Sequence, residues 1–538
     1  MPTPPTTHAL ALAALGGGLY WAAQPPLGIS VFGFVALAPL VLAVRGSTPT
    51  RAFLLGWMAG TIAFCGLTSP SVYEALVRAR HPAWLALLEA IAVPQLTGAL
   101  HMAAFAVYVA VLERRWSERP SRLFVIAAAW VVAELGRARI GHGMPWVLLA
   151  HSQAANLPVL QIADLAGASG ISFVLALVGA GVATAWVDRR APGPRRRAVV
   201  VASAALVVAI AWTYGVRQTA RWEAPAGPDL RLALVQGNIP HEWRYALSRL
   251  PDTLARYRAL VTEAMETRPD LVILPENAIS VSVAANPQAF AEVAGALGAT
   301  ETLLLVGAPR EIAVGPGRAA TRNSAYMLDR GGAVLGVYDK RHLVPFGETS
   351  TWLLPGRLPQ WLGITETYTP GDALTLLPVR GAHLATLICW EGIYADAARE
   401  AVRAGADVLV NLSNDDWFGP RAAKEQHFRA TMLRAVETRR FLVRVTNSGV
   451  TGVVDPRGAV VATAPRDAAA VVPARITALA GRTLYTRIGD AFAWVCVLVV
   501  ALALVWRPSA STRGPPRPTA ATSVQSCDAP SSPAPGPS

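Results

Sequence analysis

With 538 residues, of which 53% are hydrophobic and 15% are charged, and a mean hydropathy of +0.37, the chain is too apolar for an ordinary soluble protein and is predicted to lie in a membrane. Residues 217–488 hold 28 Arg, 2 Lys and 26 acidic residues, so only +4 of the formal net charge of +13 belongs to them. Because the remaining positive charge flanks apolar runs, it reports membrane topology, and we expect no nucleic-acid binding.

Long runs with few or no charges fill the N-terminal part of the chain and return once near residue 500. Each run has the length and apolar character of a candidate membrane-spanning helix. The first run is rich in glycine and the fifth is short before Glu134, so the count of eight has an uncertainty of one. We expect no signal peptide, because no basic residue precedes the first run. The candidate spans are 9–24, 30–44, 52–69, 85–112, 123–139, 166–187, 198–216 and 490–506.

Arginine placement predicts the orientation, because positively charged loops are retained in the cytoplasm. With a cytoplasmic N-terminus, fourteen arginines fall in the cytoplasmic loops and tail. The opposite loops hold only four, which are Arg78, Arg80, Arg137 and Arg139. The asymmetry predicts that the region between the seventh and eighth spans lies outside the cytoplasm.

Four regions follow from these spans. We expect an N-terminal membrane domain of about seven spans, an extracytoplasmic domain, a C-terminal span, and a cytoplasmic tail that is disordered because it is rich in Pro, Ser, Ala and Thr. Their boundaries are 1–216, 217–488, 489–507 and 508–538.

The extracytoplasmic region alternates short β-rich apolar runs with helical patterns, which predicts an α/β layered domain. The predicted strands end in polar residues, so these residues are expected at one edge of a sheet. Predicted strands are 232–235, 271–274, 303–306, 385–388, 408–412 and 442–445, and predicted helices are 251–267, 287–297, 395–404 and 422–439.

Three residues at that edge suit acyl-transfer chemistry. Cys389 ends an apolar strand before a turn leading to a helix, where a positive helix end would favour the thiolate. Lys340 is one of only two lysines among 48 basic residues, which suggests that a compact ammonium is required there. Glu276 follows another strand and suits a general base. A small buried cysteine, a surface lysine and a helix-capping acid remain the alternatives for these residues taken singly.

Four sequence blocks resemble motifs of the nitrilase superfamily and, together with the membrane frame and a fifth block at 235–240, they resemble the apolipoprotein N-acyltransferase family within it. The resemblance covers roughly residues 10–506. The blocks are Val-Gln-Gly-Asn-Ile-Pro (235–240), Leu-Val-Ile-Leu-Pro-Glu-Asn (271–277), Asp-Lys-Arg-His-Leu-Val-Pro-Phe-Gly-Glu (339–348), Leu-Ile-Cys-Trp-Glu-Gly (387–392) and Asn-Leu-Ser-Asn-Asp-Asp-Trp-Phe (411–418).

The resemblance implies an αββα sandwich with Glu276 as base, Lys340 as electrostatic stabiliser and Cys389 as nucleophile. It further implies transfer of a fatty acyl chain from a phospholipid, through a Cys389 thioester, to the α-amine of a diacylglyceryl-modified N-terminal cysteine on an apolipoprotein. Such an enzyme is a multi-pass protein of the bacterial cytoplasmic (inner) membrane with a periplasmic catalytic domain, and it uses no cofactor.

The resemblance also implies supporting roles for residues near the triad. Glu348 would orient Lys340 or assist proton transfer, and Glu391 would order the turn that holds the nucleophile. Asn323 matches another family position, and Trp390 stands where the family has an aromatic residue that packs on acyl chain or core. A structural salt bridge remains an alternative for each of the two acids.

Two further segments lie outside the five blocks. The family has a tryptophan shortly after Gly-Asn-Ile-Pro, where this chain has Trp243 and Tyr245 in altered spacing, and the sequence does not decide which of them, if either, takes its role. The loop after Lys340 concentrates apolar side chains that would insert at a bilayer surface, so we expect a membrane-dipping arm, with core packing as the alternative. Its residues include Trp352, Leu353, Leu354 and Trp361.

Two other functions remain open from the sequence. The same triad serves a membrane-tethered amidase that hydrolyses small amides, and intramembrane acids at Glu89, Glu134 and Asp164 suit a transporter or scaffold. A metal site is not expected, because the histidines of residues 217–488 lack paired ligand spacing. These are His241, His342, His383 and His427.

Overall fold

The computed structural model describes residues 6–79, 81–116, 121–141, 143–187, 194–220, 227–244, 246–315, 318–345, 347–348, 368–419 and 421–506. Within them the chain forms two halves. The membrane half is a bundle of apolar helices from the N-terminal part, joined by one helix near residue 500. The other half is a sandwich of two β-sheets.

All eight predicted apolar runs fall in helices, which confirms the helical character of the membrane half. A short π-helical turn, Gln95–Ala99, joins two of these helices, Ala83–Pro94 and Leu100–Trp116. The N-terminal helices are α1 (Thr6–Ala23), α2 (Ser30–Val35), α3 (Leu37–Ala43), α4 (Pro49–Arg78), α5 (Ala83–Pro94), α6 (Leu100–Trp116), α7 (Arg122–Arg139), α8 (Leu157–Leu160), α9 (Ala163–Val187) and α10 (Pro194–Ala220).

In the described part of the chain, four helical stretches are long and apolar enough to cross a membrane by length and composition. Two further apolar helices, Ser30–Ala43 and Ala491–Val505, are shorter. The four long stretches are Pro49–Arg78, Ala83–Arg114, Ala163–Val187 and Arg197–Ala220.

Small residues allow α4 to approach the next helices closely. A Cβ added at Gly60 would lie 2.5 Å from the Ala99 Cα, and one at Gly56 would lie 2.8 Å from the Ala103 Cα. Contacts this short leave room only for hydrogen, so the two backbones meet directly. Such small-residue contacts are the usual means of packing helices in a lipid environment.

Two arginines counted as loop charges in the topology argument are in fact buried in the helix bundle. Arg122 is 2% exposed and lies 3.4 Å from Glu113, while Arg137 is 5% exposed and donates to backbone carbonyl oxygens. The prediction that they lie in loops was wrong, because packing in the bundle buries both side chains and gives them polar partners. One arginine leaves each side of the count, so the asymmetry keeps its direction.

The sandwich contains two six-stranded sheets, with strand orders β12-β1-β2-β3-β4-β5 and β11-β10-β9-β8-β7-β6. All six predicted strands are confirmed. The strands are β1 (Asp229–Gln236), β2 (Leu271–Ile273), β3 (Leu303–Gly315), β4 (Arg318–Leu328), β5 (Val334–Asp339), β6 (Leu376–Val379), β7 (Ala382–Ile388), β8 (Val408–Ser413), β9 (Leu442–Thr446), β10 (Gly452–Val454), β11 (Val460–Thr463) and β12 (Ala470–Thr477).

Helices cover the outer faces of both sheets, and the four predicted helices are confirmed to within a few residues at their ends. The remaining helices are α11 (His241–Arg244), α12 (Leu250–Met265), α13 (Pro287–Gly295), α14 (Ala395–Arg403), α15 (Arg421–Thr438), α16 (Leu484–Ile488) and α17 (Ala491–Val505). One apolar cluster fills the space between the sheets, and another joins the first sheet to α12 and α13. The result is an α-β-β-α layer order.

The outer helices of the second sheet pack on the membrane half. Buried side chains of α14 and α15 belong to the same apolar cluster as those of α4, α7 and α9. Polar contacts reinforce this junction, since Arg439 NH2 lies 2.6 Å from Asp164 Oδ2 and Gln426 Nε2 donates to the Pro25 carbonyl oxygen at 3.0 Å. The second sheet therefore faces the membrane half through α14 and α15.

Candidate active site

Lys340 follows β5 directly and is fully buried. Its backbone N–H donates to the Asn323 carbonyl oxygen at 2.8 Å, which fixes the residue beside β4. Its Nζ lies 2.9 Å from Glu348 Oε1 and 3.5 Å from Glu276 Oε1. Burial alone lowers the pKa of this ammonium, but the negative charges of Glu348 and Glu276 outweigh burial and raise the pKa above its ordinary value. Lys340 is therefore a fixed buried cation.

Glu276 lies three residues beyond β2 and is 5% exposed. Its Oε1 accepts a hydrogen bond from Asn323 Nδ2 at 2.8 Å, and its Oε2 accepts one from the Asn414 backbone N–H at 2.8 Å. Burial raises the pKa of this carboxyl group, and the charge of Lys340 opposes the rise. A carboxylate with a raised pKa holds a proton more readily, as a general base must.

A glycine on the neighbouring strand admits the Glu276 loop. A Cβ added at Gly307 would lie 2.6 Å from the Pro275 carbonyl oxygen and 2.7 Å from the Glu276 Cα. Arg244 supports the loop from its other side, because NH2 donates to the carbonyl oxygens of Glu276 and Asn277. The backbone that presents Glu276 is thus held on two sides.

Cys389 follows β7 and adopts a φ of 51°, a conformation rare for a side chain of its kind. Its carbonyl oxygen lies 3.2 Å from Asn411 Nδ2 and 3.3 Å from His427 Nε2. These contacts hold the unusual backbone turn, and the thiol is close enough to Glu276 and Lys340 for both charges to affect its pKa.

The pKa of the Cys389 thiol differs from the expectation that a nearby helix end would favour thiolate. Burial raises this pKa, the negative charge of Glu276 raises it further, and Lys340 only partly offsets the two. The helix after the turn begins at Ala395, six residues downstream. The resting cysteine is therefore a protonated thiol, and attack requires that a base take its proton.

Glu391 ties the turn after Cys389 to the strand that carries Lys340. Its carboxylate accepts from the backbone N–H groups of Ile388 at 2.7 Å and Arg341 at 2.7 Å, and from the Tyr338 hydroxyl at 2.9 Å. Burial raises the pKa of Glu391, but these donors and the His342 side chain outweigh burial and lower the pKa. A buried, ionised carboxylate thus positions both neighbours of the site.

The structure brings together Glu276, Lys340, Glu348 and Asn323 in one hydrogen-bonded cluster beside Cys389. Trp390 instead turns toward the membrane half and stacks on Trp146, with ring centroids 5.3 Å apart. Trp243 packs against the apolar cluster of the first sheet with α12 and α13, and the Arg249 guanidinium lies 4.2 Å from its ring centroid. Tyr245 and the predicted arm lie outside the described residues, the arm residues being Trp352, Leu353, Leu354 and Trp361.

Sequence reasoning missed a group of buried polar residues that reaches the Cys389 carbonyl oxygen through His427. His427 Nδ1 lies 2.9 Å from Asp415 Oδ1, and Arg444 NH2 lies 2.8 Å from Asp415 Oδ2. All three side chains are completely buried. The only signal in the sequence was that Asp415 falls in a recognised block, which also supplies the Asn414 N–H to Glu276.

The three intramembrane acids that suit a transport path each have a protein partner. Glu89 lies 3.0 Å from His81 Nδ1, Glu134 accepts from the Leu149 backbone N–H at 2.7 Å, and Asp164 pairs with Arg439. These contacts give each acid a packing role. Within the described ranges, no group of three or more His, Cys, Asp and Glu side chains is arranged to hold a metal ion.

The sequence matches two family models in the same order as the two halves. The model described as apolipoprotein N-acyltransferase N-terminal domain matches residues 16–181, and the carbon-nitrogen hydrolase model matches residues 231–484. Among solved structures, the chain is similar to Saccharomyces cerevisiae Nit3 of the nitrilase superfamily, with 19% identity, a TM-score of 0.36, and coverage of 46% of this chain and 90% of that one.

Curated relatives match across nearly the whole chain. An apolipoprotein N-acyltransferase from Geobacter metallireducens is 35% identical over 508 residues, which cover 92% of this chain and 95% of the relative. One from Methylococcus capsulatus is 32% identical over 508 residues, which cover 89% and 92%. Together with the two family models, this similarity shows that the chain belongs to the apolipoprotein N-acyltransferase family.

Proposed function

We propose that this protein is a phospholipid:apolipoprotein N-acyltransferase of the bacterial cytoplasmic membrane. It would transfer a fatty acyl chain to the α-amine of an N-terminal diacylglyceryl-cysteine. The observation that carries the proposal is the buried cluster of Glu276 and Lys340 beside Cys389, in a family member whose sandwich packs directly on apolar helices.

In the first half-reaction, Cys389 receives the fatty acyl chain from the phospholipid. Glu276 takes the thiol proton as Cys389 Sγ attacks the ester carbonyl carbon of the phospholipid. The Lys340 ammonium and a backbone N–H after the nucleophile stabilise the negative oxygen of the tetrahedral intermediate. The C–O bond then breaks, the lysophospholipid alkoxide takes the proton from Glu276, and a thioester remains on Cys389.

In the second half-reaction, the acyl chain passes from Cys389 to the acceptor. The α-amine of the acceptor attacks the thioester carbonyl, the C–S bond breaks, and an amide forms. The amine gives up a proton, which returns to the Cys389 sulfur through Glu276, so the free enzyme is regenerated. Donor and acceptor use the same cysteine in turn, and the kinetics are therefore ping-pong.

The topology that suits this reaction has eight spans, with the N-terminus in the cytoplasm and residues 217–488 on the periplasmic side. The arginine asymmetry supports this orientation. A cysteine-accessibility scan in intact cells tests it: a single reporter cysteine at the exposed Arg475 position, in a variant without native cysteines, should react with a membrane-impermeant maleimide added outside. Labelling only after cell lysis would overturn the orientation.

A membrane-tethered amidase is the competing function, because water can replace the amine acceptor. The close packing of the sandwich on apolar helices favours a lipid substrate, because hydrolysis of a small soluble amide does not require such packing. Mass spectrometry of a lipoprotein N-terminus, from cells with and without this protein, separates the two. A third acyl chain that disappears with the protein is expected, and unchanged acylation would contradict the proposed function.

A further inference from the structure

A short segment of the membrane half, residues 146–149, is held in place by side chains from several helices. The carbonyl oxygens of Trp146, Val147 and Leu148 accept hydrogen bonds from Arg137 at 2.6 Å, Tyr20 at 2.8 Å and Gln24 at 2.9 Å. Val147 has a φ of 45°, which such bonding helps to maintain. The segment is therefore fixed in a defined position.

From this segment the Trp146 side chain reaches across to the sandwich. Its ring stacks on Trp390 with an interplanar angle of 13°, and its centroid lies 5.4 Å from the His427 ring centroid. Its Nε1 donates to Gln426 Oε1 on α15 at 2.9 Å. The indole is 4% exposed, so its orientation is fixed by packing and by one hydrogen bond.

Two of the three sandwich rings that Trp146 contacts, those of Trp390 and His427, adjoin the backbone of the nucleophile; the third is Phe418. Trp390 is the next residue after Cys389, and His427 Nε2 lies 3.3 Å from the Cys389 carbonyl oxygen. Cys389 itself has a φ of 51°, so its backbone depends on surrounding contacts to keep this conformation. The Trp146 indole therefore contacts both the residue that follows Cys389 and the histidine at the Cys389 carbonyl oxygen.

We propose that Trp146 is a positioning residue of the acyl-transfer site, supplied by the membrane half to the nucleophile of the sandwich. Its role rests on the proposed function and goes beyond it, because it makes the two halves one catalytic unit. An error of about 1 Å in the placement of a reacting group costs up to about a hundredfold in rate. Loss of the stack should therefore slow thioester formation by displacing the nucleophile.

The test measures thioester formation on the full-length protein in phospholipid-detergent micelles, by intact mass after rapid quenching. Trp146→Leu keeps an apolar side chain but loses the aromatic face, and we expect it to slow thioester formation at least about tenfold. Trp146→Phe keeps a ring that can stack, and its rate should stay within about threefold of wild type. Phe105→Leu, which alters a buried aromatic of the membrane half packed on Trp130, is the matched control and should react like wild type.

Saturating the phospholipid separates positioning from substrate binding, since the deficit of Trp146→Leu should persist in the maximal rate. The inference would be overturned if Trp146→Leu formed the thioester as fast as wild type. It would also be overturned if Phe105→Leu slowed thioester formation as much as Trp146→Leu does. A wild-type protein that forms no thioester would instead contradict the proposed function itself, so the two failures are distinguishable.

Discussion

The charges around Lys340 explain why the chain keeps a lysine where it otherwise uses arginine. The ammonium fits a completely buried space between Glu348 and Glu276, which a planar guanidinium would overfill. The negative charges raise the pKa of Lys340, so it stays charged at neutral pH and can stabilise an oxyanion.

Replacing this lysine should therefore abolish most of the activity. We expect Lys340→Arg and Lys340→Met each to slow thioester formation by about 10²–10³-fold, the usual cost of losing one oxyanion donor. The chain's other lysine is the matched control: Lys424→Arg alters a side chain that bonds Ser448 and should leave the rate near wild type. Normal thioester formation in Lys340→Met would exclude its electrostatic role.

The pH dependence of the first half-reaction should report Glu276. Burial raises the pKa of Glu276, and the reaction needs the deprotonated form, so the rate should rise with pH through this raised pKa. The hydrogen bond from Asn323 Nδ2 stabilises the carboxylate and lowers the pKa. Asn323→Ala should thus move the acid limb of the pH–rate profile to higher pH.

The control for this shift is Asn286→Ala, which removes a cap at the start of α13 and should leave the acid limb in place. An acid limb that stays fixed in Asn323→Ala, or moves to lower pH, would show that Glu276 is not the group that titrates.

At the residue scale, the sequence predicted which side chains gather beside Cys389 but not what holds them there. Lys340 was singled out as one of only two lysines, although the strand β5 that precedes it was not predicted. Glu276 and Cys389 each follow a predicted apolar strand, so their common edge was readable. His427 and Trp146 were not, because their contacts with the nucleophile turn join residues far apart in the chain. The protonated state of the thiol was missed because burial depends on tertiary packing.

At the element scale, the strands of the sandwich follow from runs of buried β-branched and aliphatic residues. β7, β8 and β9 are parallel neighbours, so their ends place Cys389, Ser413 and Thr446 along one edge. Hairpin lengths were less readable: β3 was predicted as 303–306 but continues to Gly315 by pairing with β4. Arg310 and Glu311 interrupt the apolar run, and Val314 beyond them is 49% exposed, so the far end carries no continuous apolar signal.

The predicted arm provides an element-scale test. Replacing Trp352 and Trp361 with Ser removes the two aromatic anchors from an apolar sequence, which should weaken contact with a bilayer surface. We expect lower turnover of phospholipid in vesicles with an unchanged thermal unfolding midpoint. Ser substitution of Trp186, a 59% exposed tryptophan of α9, is the control. Equal turnover of vesicle phospholipid by the double variant and the wild type would contradict the prediction of a membrane-dipping arm.

At the scale of the whole molecule, the two halves are joined by a shared apolar core and by buried polar links. Arg439 donates to Asp164 Oδ2 at 2.6 Å, to Gln161 Oε1 at 2.6 Å and to the Pro456 carbonyl oxygen at 2.8 Å. Each half was predictable by itself from apolar periodicity. Their contact was not, since no local sequence pattern encodes which helix faces meet.

The Asp164 link should contribute measurably to stability. Asp164→Asn removes the charge partner of a largely buried arginine, which should lower the free energy of unfolding by about 1–3 kcal/mol. The exposed pair of Asp229 with Arg475 provides the control, because Asp229→Asn should leave the free energy of unfolding close to that of the wild type. Equal thermal unfolding midpoints for both variants in detergent would argue that the junction is purely apolar.

The central claim is that Cys389 carries a fatty acyl chain between lipid and amine. The most direct measurement is intact-mass spectrometry of the purified protein after incubation with phospholipid, followed by peptide mapping of the adduct. We predict one fatty acyl group, mapped to Cys389, lost in Cys389→Ala and released by an acceptor peptide bearing a diacylglyceryl-cysteine. An adduct that forms equally in Cys389→Ala, or none in the wild type, would contradict the account.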